Sequence, residues 1–267
     1  MDEDRSRTVL TEIDGRGVAR IVLNRPEVRN AMNAAFIRDL TEAVEAVGAD
    51  EAVRAVILTG NGKGFCAGAD LAWMRETAGY SVEENYADSG RLGRMLNRLN
   101  TLPRPVIGLI NGHAFGGGIG LVACCDIAIA SSAAKFSLSE VRLGLTPATI
   151  SPYVVRRIGQ SHARRYFLTA EVFDAARAGD IGLVHAVAEP DALEAAGQAF
   201  VDLLLLGGPK SQAVSKDLIF RVSDREIDGE LIDWTSRLIA DIRASDEGRE
   251  GAGAFLEKRK PAWQVRD

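Results

Sequence analysis

The chain has 267 residues, with 32 Lys+Arg against 37 Asp+Glu and a net charge of −5. At 46% hydrophobic and 26% charged, it has the composition of a globular protein long enough to bury its own core. The mild acidic balance excludes a basic nucleic-acid footprint, no apolar run is long enough to span a bilayer, and three Cys and three scattered His speak against a disulfide framework or a metal site.

The polar start, MDEDRSRT, has no leader signature, and the sparse thiols suit a reducing compartment, so a cytoplasmic protein with no membrane partner is expected. A turn at 14–17 leads into an apolar, β-rich run, Val18–Leu23, expected to be a strand. Asn33 can cap a helix to about residue 47, with Phe36, Ile37, Leu40, Val44 and Val47 on one face. Residues 55–59 are continuously apolar, as in a buried parallel strand, and a glycine-rich loop, 60–70, follows. Ser81 and Glu84 form a capping-box pattern opening a helix towards Asn100, which Pro103 and Pro105 stop.

The same sentence then repeats: a strand at Val106–Ile110, a loop over 111–116 and the start of a helix over 117–125. Further strands are expected at 127–130, 135–138 and 184–187. Ser151 can cap a helix over 152–158, with Pro152 at its first position, and Ser161 can cap the next, to about 168. Strand and helix alternate at near-constant spacing, which predicts an α/β domain with crossover connections. After about residue 190 the pattern turns helical, at 191–206, 209–221, 224–243 and 246–258. The expected division is a catalytic core of residues 1–190 and a helical region, 191–267, whose apolar faces seek a neighbouring subunit.

Three segments carry chemistry. In the first, Gly116, Gly117 and Gly118 stand between a strand and a helix. The free N–H groups at that helix start, with the positive end of its dipole, have the geometry of an oxyanion hole. Close strand–helix packing accounts for the same glycines. Spacing excludes GxGxxG, because the fifth position after Gly116 is Leu121, and a Walker loop, because Gly62-Lys63 runs into Gly64. The second segment, GFCAGADL at 64–71, also follows a strand, and its Ala69 N–H can face the same space. Asp70 can cap the next helix, and Cys66, lacking an obvious base, suits packing. The third is Glu140, expected to end a strand among apolar neighbours. Burial there raises a carboxyl pKa and suits it to shuttle protons; a salt bridge with Arg142 is the plainer role. No GxSxG elbow is present.

These stretches occur together and in order: LNRPEVRNAMN at 23–33, FCAGADL at 65–71, NGHAFGGG at 111–118, CDIA at 125–128, residues 136–144, GLVHAV at 182–187 and FLEKRK at 255–260. Over nearly the whole chain they resemble the crotonase family of enoyl-CoA hydratases and isomerases. The resemblance implies an α/β fold, a spiral of ββα repeats followed by helices that build homotrimers, often paired into hexamers. It implies an acyl-CoA thioester substrate, with no cofactor beyond the coenzyme A of that substrate and no nucleic-acid partner. It matches the N–H groups of Ala69 and Gly117 to the oxyanion hole and Glu140 to the catalytic acid/base. Ala67, Gly68, Asp70, Leu71 and Gly116 fall on the substrate-binding loops. Arg25 and Arg29, with Phe255 and, from a neighbouring subunit, Lys258, are matched to coenzyme A.

Two departures bear on the reaction. Hydratases of the family carry two glutamates, and the first of these maps to Gly120. The family's glycine run after Gly144 reads LTPATISP here, at 145–152, which is similar to a bacterial branch of methylglutaconyl-CoA or carboxygeranoyl-CoA hydratases. Substrates of that branch carry a free carboxylate that Arg156 or Arg157 could bind. The leading expectation is water addition across the 2,3 double bond of an enoyl-CoA. The alternatives are a Δ3,Δ2-enoyl-CoA isomerase using Glu140 alone, and a non-catalytic CoA-thioester or RNA-binding protein of this fold.

Overall fold

A computed structural model describes residues 7–264, so most of the polar N-terminal stretch lies outside it. The chain opens with a hairpin, β1 (Val9–Ile13) and β2 (Val18–Leu23), turned at Gly17 with φ 79°. Asn33 caps α1 (Ala34–Ala49) by accepting the Phe36 N–H at 2.9 Å. A first repeat follows: β3 (Ala55–Gly60), β4 (Gly64–Cys66), α2 (Leu71–Thr77) and α3 (Val82–Asn100), the last opened by the reciprocal Ser81–Glu84 box. A second is β5 (Val106–Ile110), β6 (His113–Phe115) and α4 (Gly117–Cys124). A third is β7 (Ile127–Ser131), β8 (Lys135–Ser137), a short 3-10 helix at Glu140–Leu143 and α5 (Ser151–Thr169). Then come β9 (Phe173–Asp174), α6 (Ala175–Asp180) and β10 (Ala186–Ala188). Last are α7 (Leu193–Leu205), α8 (Pro209–Val222), α9 (Gly229–Ala244) and α10 (Asp246–Leu256).

Each repeat gives its first strand to one sheet and its second to another. The larger sheet runs β1-β2-β3-β5-β7-β10, parallel except at the β1–β2 hairpin. The smaller runs β4-β6-β8-β9, parallel except at β8–β9. This is the α/β spiral of ββα repeats that the resemblance implies. Alternate residues of the larger sheet serve two cores. Val56 and Leu58 join Phe36, Phe65, Leu96 and Phe136 in the main cluster. Ile57, Ile107, Leu109 and Ile129 face the other way, onto Leu193 and Val201 of α7. A strand buried on both faces needs no polar alternation, hence the continuous apolar runs in the sequence. Buried Arg54 ties the chain's end to this core, donating to the carbonyls of Gly207 at 2.7 Å and Trp263 at 3.0 Å.

Several elements differ from expectation. The 111–116 loop contains β6, and β1, β4, β9 and α6 have no counterpart in the sequence reading. All are five residues or shorter except α6, which has 6. Such short pieces depend on non-local partners more than on periodicity. The last strand lies at Ala186–Ala188 rather than 184–187. Glu140 does not end a strand; it opens the 3-10 helix that follows β8. Ser151 is not a cap, since its hydroxyl donates to the Ala148 carbonyl at 2.7 Å, and Ile150 stands at the N-terminus of α5. The two helices expected there are present, as two arms of α5 that meet at a kink where Gly159 leaves the helical conformation (φ 72°). The helix expected from 224 starts at Gly229, where Asp228 accepts the Leu231 N–H. No helix among the described residues is long and apolar enough to cross a membrane, and no group of three or more His, Cys, Asp or Glu among them could hold a metal ion.

Candidate active site

Three loops converge on one space. Asn30, fully buried and left-handed at φ 56°, locks the first to the second. Its Oδ1 accepts the Arg25 N–H at 2.8 Å, and its Nδ2 donates to the carbonyls of Asn61 at 3.0 Å and Gly64 at 2.8 Å. Two residues on, Met32 forms a parallel bridge with Ala69. The Met32 N–H donates to the Gly68 carbonyl at 2.7 Å, and the Asp70 N–H to the Met32 carbonyl at 2.8 Å. In that pattern Ala69 turns its own N–H away from the bridge, and no described residue accepts it.

Glycine brings the third loop up. Gly68 has φ 86°, and a Cβ there would lie 2.9 Å from the Phe115 carbonyl oxygen. A Cβ on Gly118 would lie 2.4 Å from the Cys66 carbonyl oxygen. Both contacts are with backbone, which cannot rotate aside, so the approach requires residues without a side chain. It sets Gly117, first residue of α4, beside the loop of Ala69. The Gly117 N–H, like that of Ala69, has no acceptor among the described residues. Asp70 braces the arrangement. It caps α2 through the N–H groups of Ala72 and Trp73 and pairs with Arg25 at 2.8 Å. Burial alone would raise its carboxyl, but the Ala72 N–H, the Arg25 guanidinium and the Trp73 N–H outweigh that and hold it below the ordinary value.

Glu140 lies against the start of α4. Its Oε1 is 3.1 Å from the position a Cβ on Gly116 would take. Its Oε2 is buried with no hydrogen-bond partner, and Arg142 makes no ion pair with it. Burial pushes the carboxyl above its usual range, in which direction a proton shuttle at neutral pH is favoured. Ala69, Gly117 and Glu140 line one cavity of about 390 Å³, walled by Leu71, Trp73, Leu92 and Ile150. Among the described residues, Glu140 is the one charged residue in that lining. Gly120, a turn further along α4, is covered: a Cβ there would lie 2.5 Å from Cγ2 of Ile150.

Of the other residues singled out from the sequence, Ala67, Gly68, Leu71 and Gly116 line the cavity. Arg25 is a strut, held by Asp70 and the Ala31 carbonyl. Arg29 is exposed, while Phe255 and Lys258 sit exposed at the end of α10, outside the cavity of the single chain. Cys66 is buried, and burial pushes its thiol up to about 12, which suits packing and not nucleophilic attack. Arg156 and Arg157 are not at this site. They line a separate cleft with Cys124 and Lys216, and Arg157 Nε donates to the Leu183 carbonyl at 3.2 Å. Sequence reasoning missed Asn30 and Ile150. A polar residue inside the LNRPEVRNAMN stretch is a signal for the first; nothing local announces the second, because its partner lies 30 residues away.

The profile of the enoyl-CoA hydratase/isomerase family matches residues 14–266. An enoyl-CoA hydratase from Shewanella pealeana superposes with a TM-score of 0.94 at 45% identity, covering 97% of each chain. The crotonyl-CoA hydratase of Syntrophomonas wolfei is 36% identical over 91% of this chain and 93% of its own length. The short-chain-enoyl-CoA hydratase of Clostridium acetobutylicum is 35% identical over 94% of this chain and 95% of its own. The chain therefore belongs to the enoyl-CoA hydratase/isomerase, or crotonase, family, and is an enzyme of that family.

Proposed function

We propose that this enzyme is an enoyl-CoA hydratase, adding water across the 2,3 double bond of an acyl-CoA thioester. The observation that carries this reading is a pair of unbonded backbone donors, on Ala69 and Gly117, in one cavity with an unpartnered carboxylate, Glu140. As water attacks C3, the π electrons move onto the thioester oxygen, and two fixed N–H groups stabilise that charge. Losing one such donor costs about 3 kcal/mol in comparable sites. Glu140 takes a proton from the attacking water and returns it to C2. The sum is one water added, so substrate and water alone balance the reaction, and coenzyme A enters only as part of the substrate.

The lining supports an uncharged acyl chain. A branched, carboxylated chain such as methylglutaconyl would meet Glu140 and no cation there. Arg29, whose side chain bonds no described residue, and Lys258 of a neighbouring subunit remain our candidates for the coenzyme A phosphates, with Phe255 beside the latter. The helical region beyond residue 190 is proposed to build a homotrimer or a dimer of trimers, with α7 anchoring it on the sheet. A second reading, Δ3,Δ2-enoyl-CoA isomerisation, is favoured by the single carboxylate, which could carry one proton between C2 and C4. Assaying hydration of crotonyl-CoA and methylglutaconyl-CoA beside isomerisation of a 3-enoyl-CoA separates these. Hydration of crotonyl-CoA should dominate. Glu140→Gln should lower its turnover by about 10²-fold or more while thioester binding persists; near-normal turnover would remove Glu140 from the mechanism.

A further inference from the structure

Hydration needs more than a base: the water must be held with a lone pair directed at C3. Among the side chains lining the cavity, one carboxylate is present; the other polar groups are the Trp73 indole N–H, which donates and cannot accept, and four hydroxyls, on Thr77, Ser139, Thr146 and Thr149. Thr77 Oγ1 already donates to the Met74 carbonyl at 3.4 Å, and Thr146 is exposed. Ser139 immediately precedes Glu140, on the same wall. Thr149 stands elsewhere. It is half-buried, its methyl lies 3.6 Å from the position a Cβ on Gly93 would take, and its hydroxyl bonds no described residue.

Glu140 and Thr149 reach the cavity from different points of the chain. Glu140 lies over Gly116, and Ile150, the neighbour of Thr149, lies over Gly120. The carboxylate and the unpartnered hydroxyl thus line one cavity, in which the place over Gly120 is already filled by Ile150.

Resting on the hydratase reading, we propose that the Thr149 hydroxyl holds the water that Glu140 activates. One hydrogen of the water passes to Glu140 as its oxygen bonds to C3. The other is donated to Thr149 Oγ1, which keeps the lone pair on target and is itself neither protonated nor deprotonated. Ile150 excludes a second water by filling the space above Gly120. Thr149 is then a residue of the addition step alone. Removing the C2 proton of a saturated thioester uses Glu140 and the two backbone donors but no attacking water.

That difference supplies the test. Two rates are measured on the full-length protein: hydration of crotonyl-CoA, and exchange of the C2 hydrogens of butyryl-CoA with D2O. Thr149→Val, which keeps the shape and removes the hydroxyl, should lower the hydration kcat at least tenfold and leave exchange within twofold. Thr149→Ser should restore hydration to within threefold of the original. Undiminished hydration in Thr149→Val overturns the proposal, as does a parallel loss of hydration and exchange that Ser does not rescue. If the unmodified protein exchanges C2 hydrogens but hydrates no enoyl-CoA, the hydratase reading itself falls and this proposal with it. If it hydrates and Thr149→Val hydrates equally, the proposal alone falls.

Discussion

Glu140 is an acid whose surroundings disfavour its charge, and this has two consequences at the scale of a single residue. Because burial raises the carboxyl in the folded protein, the unfolded chain ionises at lower pH. Stability from this group is complete below the unfolded value and declines as pH rises through the folded one. Glu140→Gln should therefore melt higher than the original protein at pH 7, with the difference vanishing near about pH 4, the ordinary glutamate range. Thermal melts across that interval check the sign; a Gln variant less stable at pH 7 than at pH 4, relative to the original, would contradict it. For the same reason the acid limb of kcat/KM should lie above the ordinary carboxylate range and disappear with the Gln variant. Asp70 is the contrast. It too is buried, yet three donors hold it ionised, so it can brace a loop but not accept a proton from water.

At the scale of elements, α4 is where backbone packing and chemistry meet. Its helix propensity is poor, with three glycines in eight residues, yet seven of the eight are buried. Tertiary packing pays for this element. Gly120 shows how tightly: an added Cβ meets both Cγ2 and Cβ of Ile150, at 2.5 and 3.0 Å. Gly120→Ala should cost about 1–3 kcal/mol by overpacking. In Ile150→Ala, which makes a void of its own, the same substitution should cost much less. A double-mutant cycle from denaturant melts measures this coupling, and simple additivity would show that Ile150 is not what restricts residue 120. The short strands β4 and β6 were invisible as strands in the sequence. Each has three residues, and each pairs with a partner far along the chain, so no local period announces it.

At the scale of the whole molecule, the helices after α7 are incomplete. Leu231 and Ala254 are the buried residues of α8, α9 and α10. Ile219, Ile232, Ile239, Phe255 and Leu256 are exposed, Phe255 to 83% and Leu256 to 79%. An apolar set of this size on three consecutive helices is costly in water, which supports the proposed assembly of subunits through this region. Sedimentation at micromolar concentration should give a trimer or a hexamer. Phe255→Asp should weaken the assembly or raise the KM for thioester, as expected of a residue that a neighbouring subunit's site uses. A monomer with full activity would refute both expectations. Arg54, meanwhile, fastens the end of the chain to the core of its own subunit.

The sequence by itself determined the repeat of strand, loop and helix, the buried character of the strand at 55–59, the caps at Asn33, Asp70 and Ser81, and the segments that carry Ala69 and Gly117; it singled out Glu140 but set it at the end of a strand, where the structure has a 3-10 helix. These are legible because periodicity, capping and glycine placement are local properties of the chain. Tertiary structure alone decided three things: that Arg25 is spent on Asp70, that Arg156 and Arg157 belong to another cleft, and that Ile150 fills the place above Gly120. Each depends on which distant segments come into contact, and a charge or a methyl group carries no local mark of the partner it will meet.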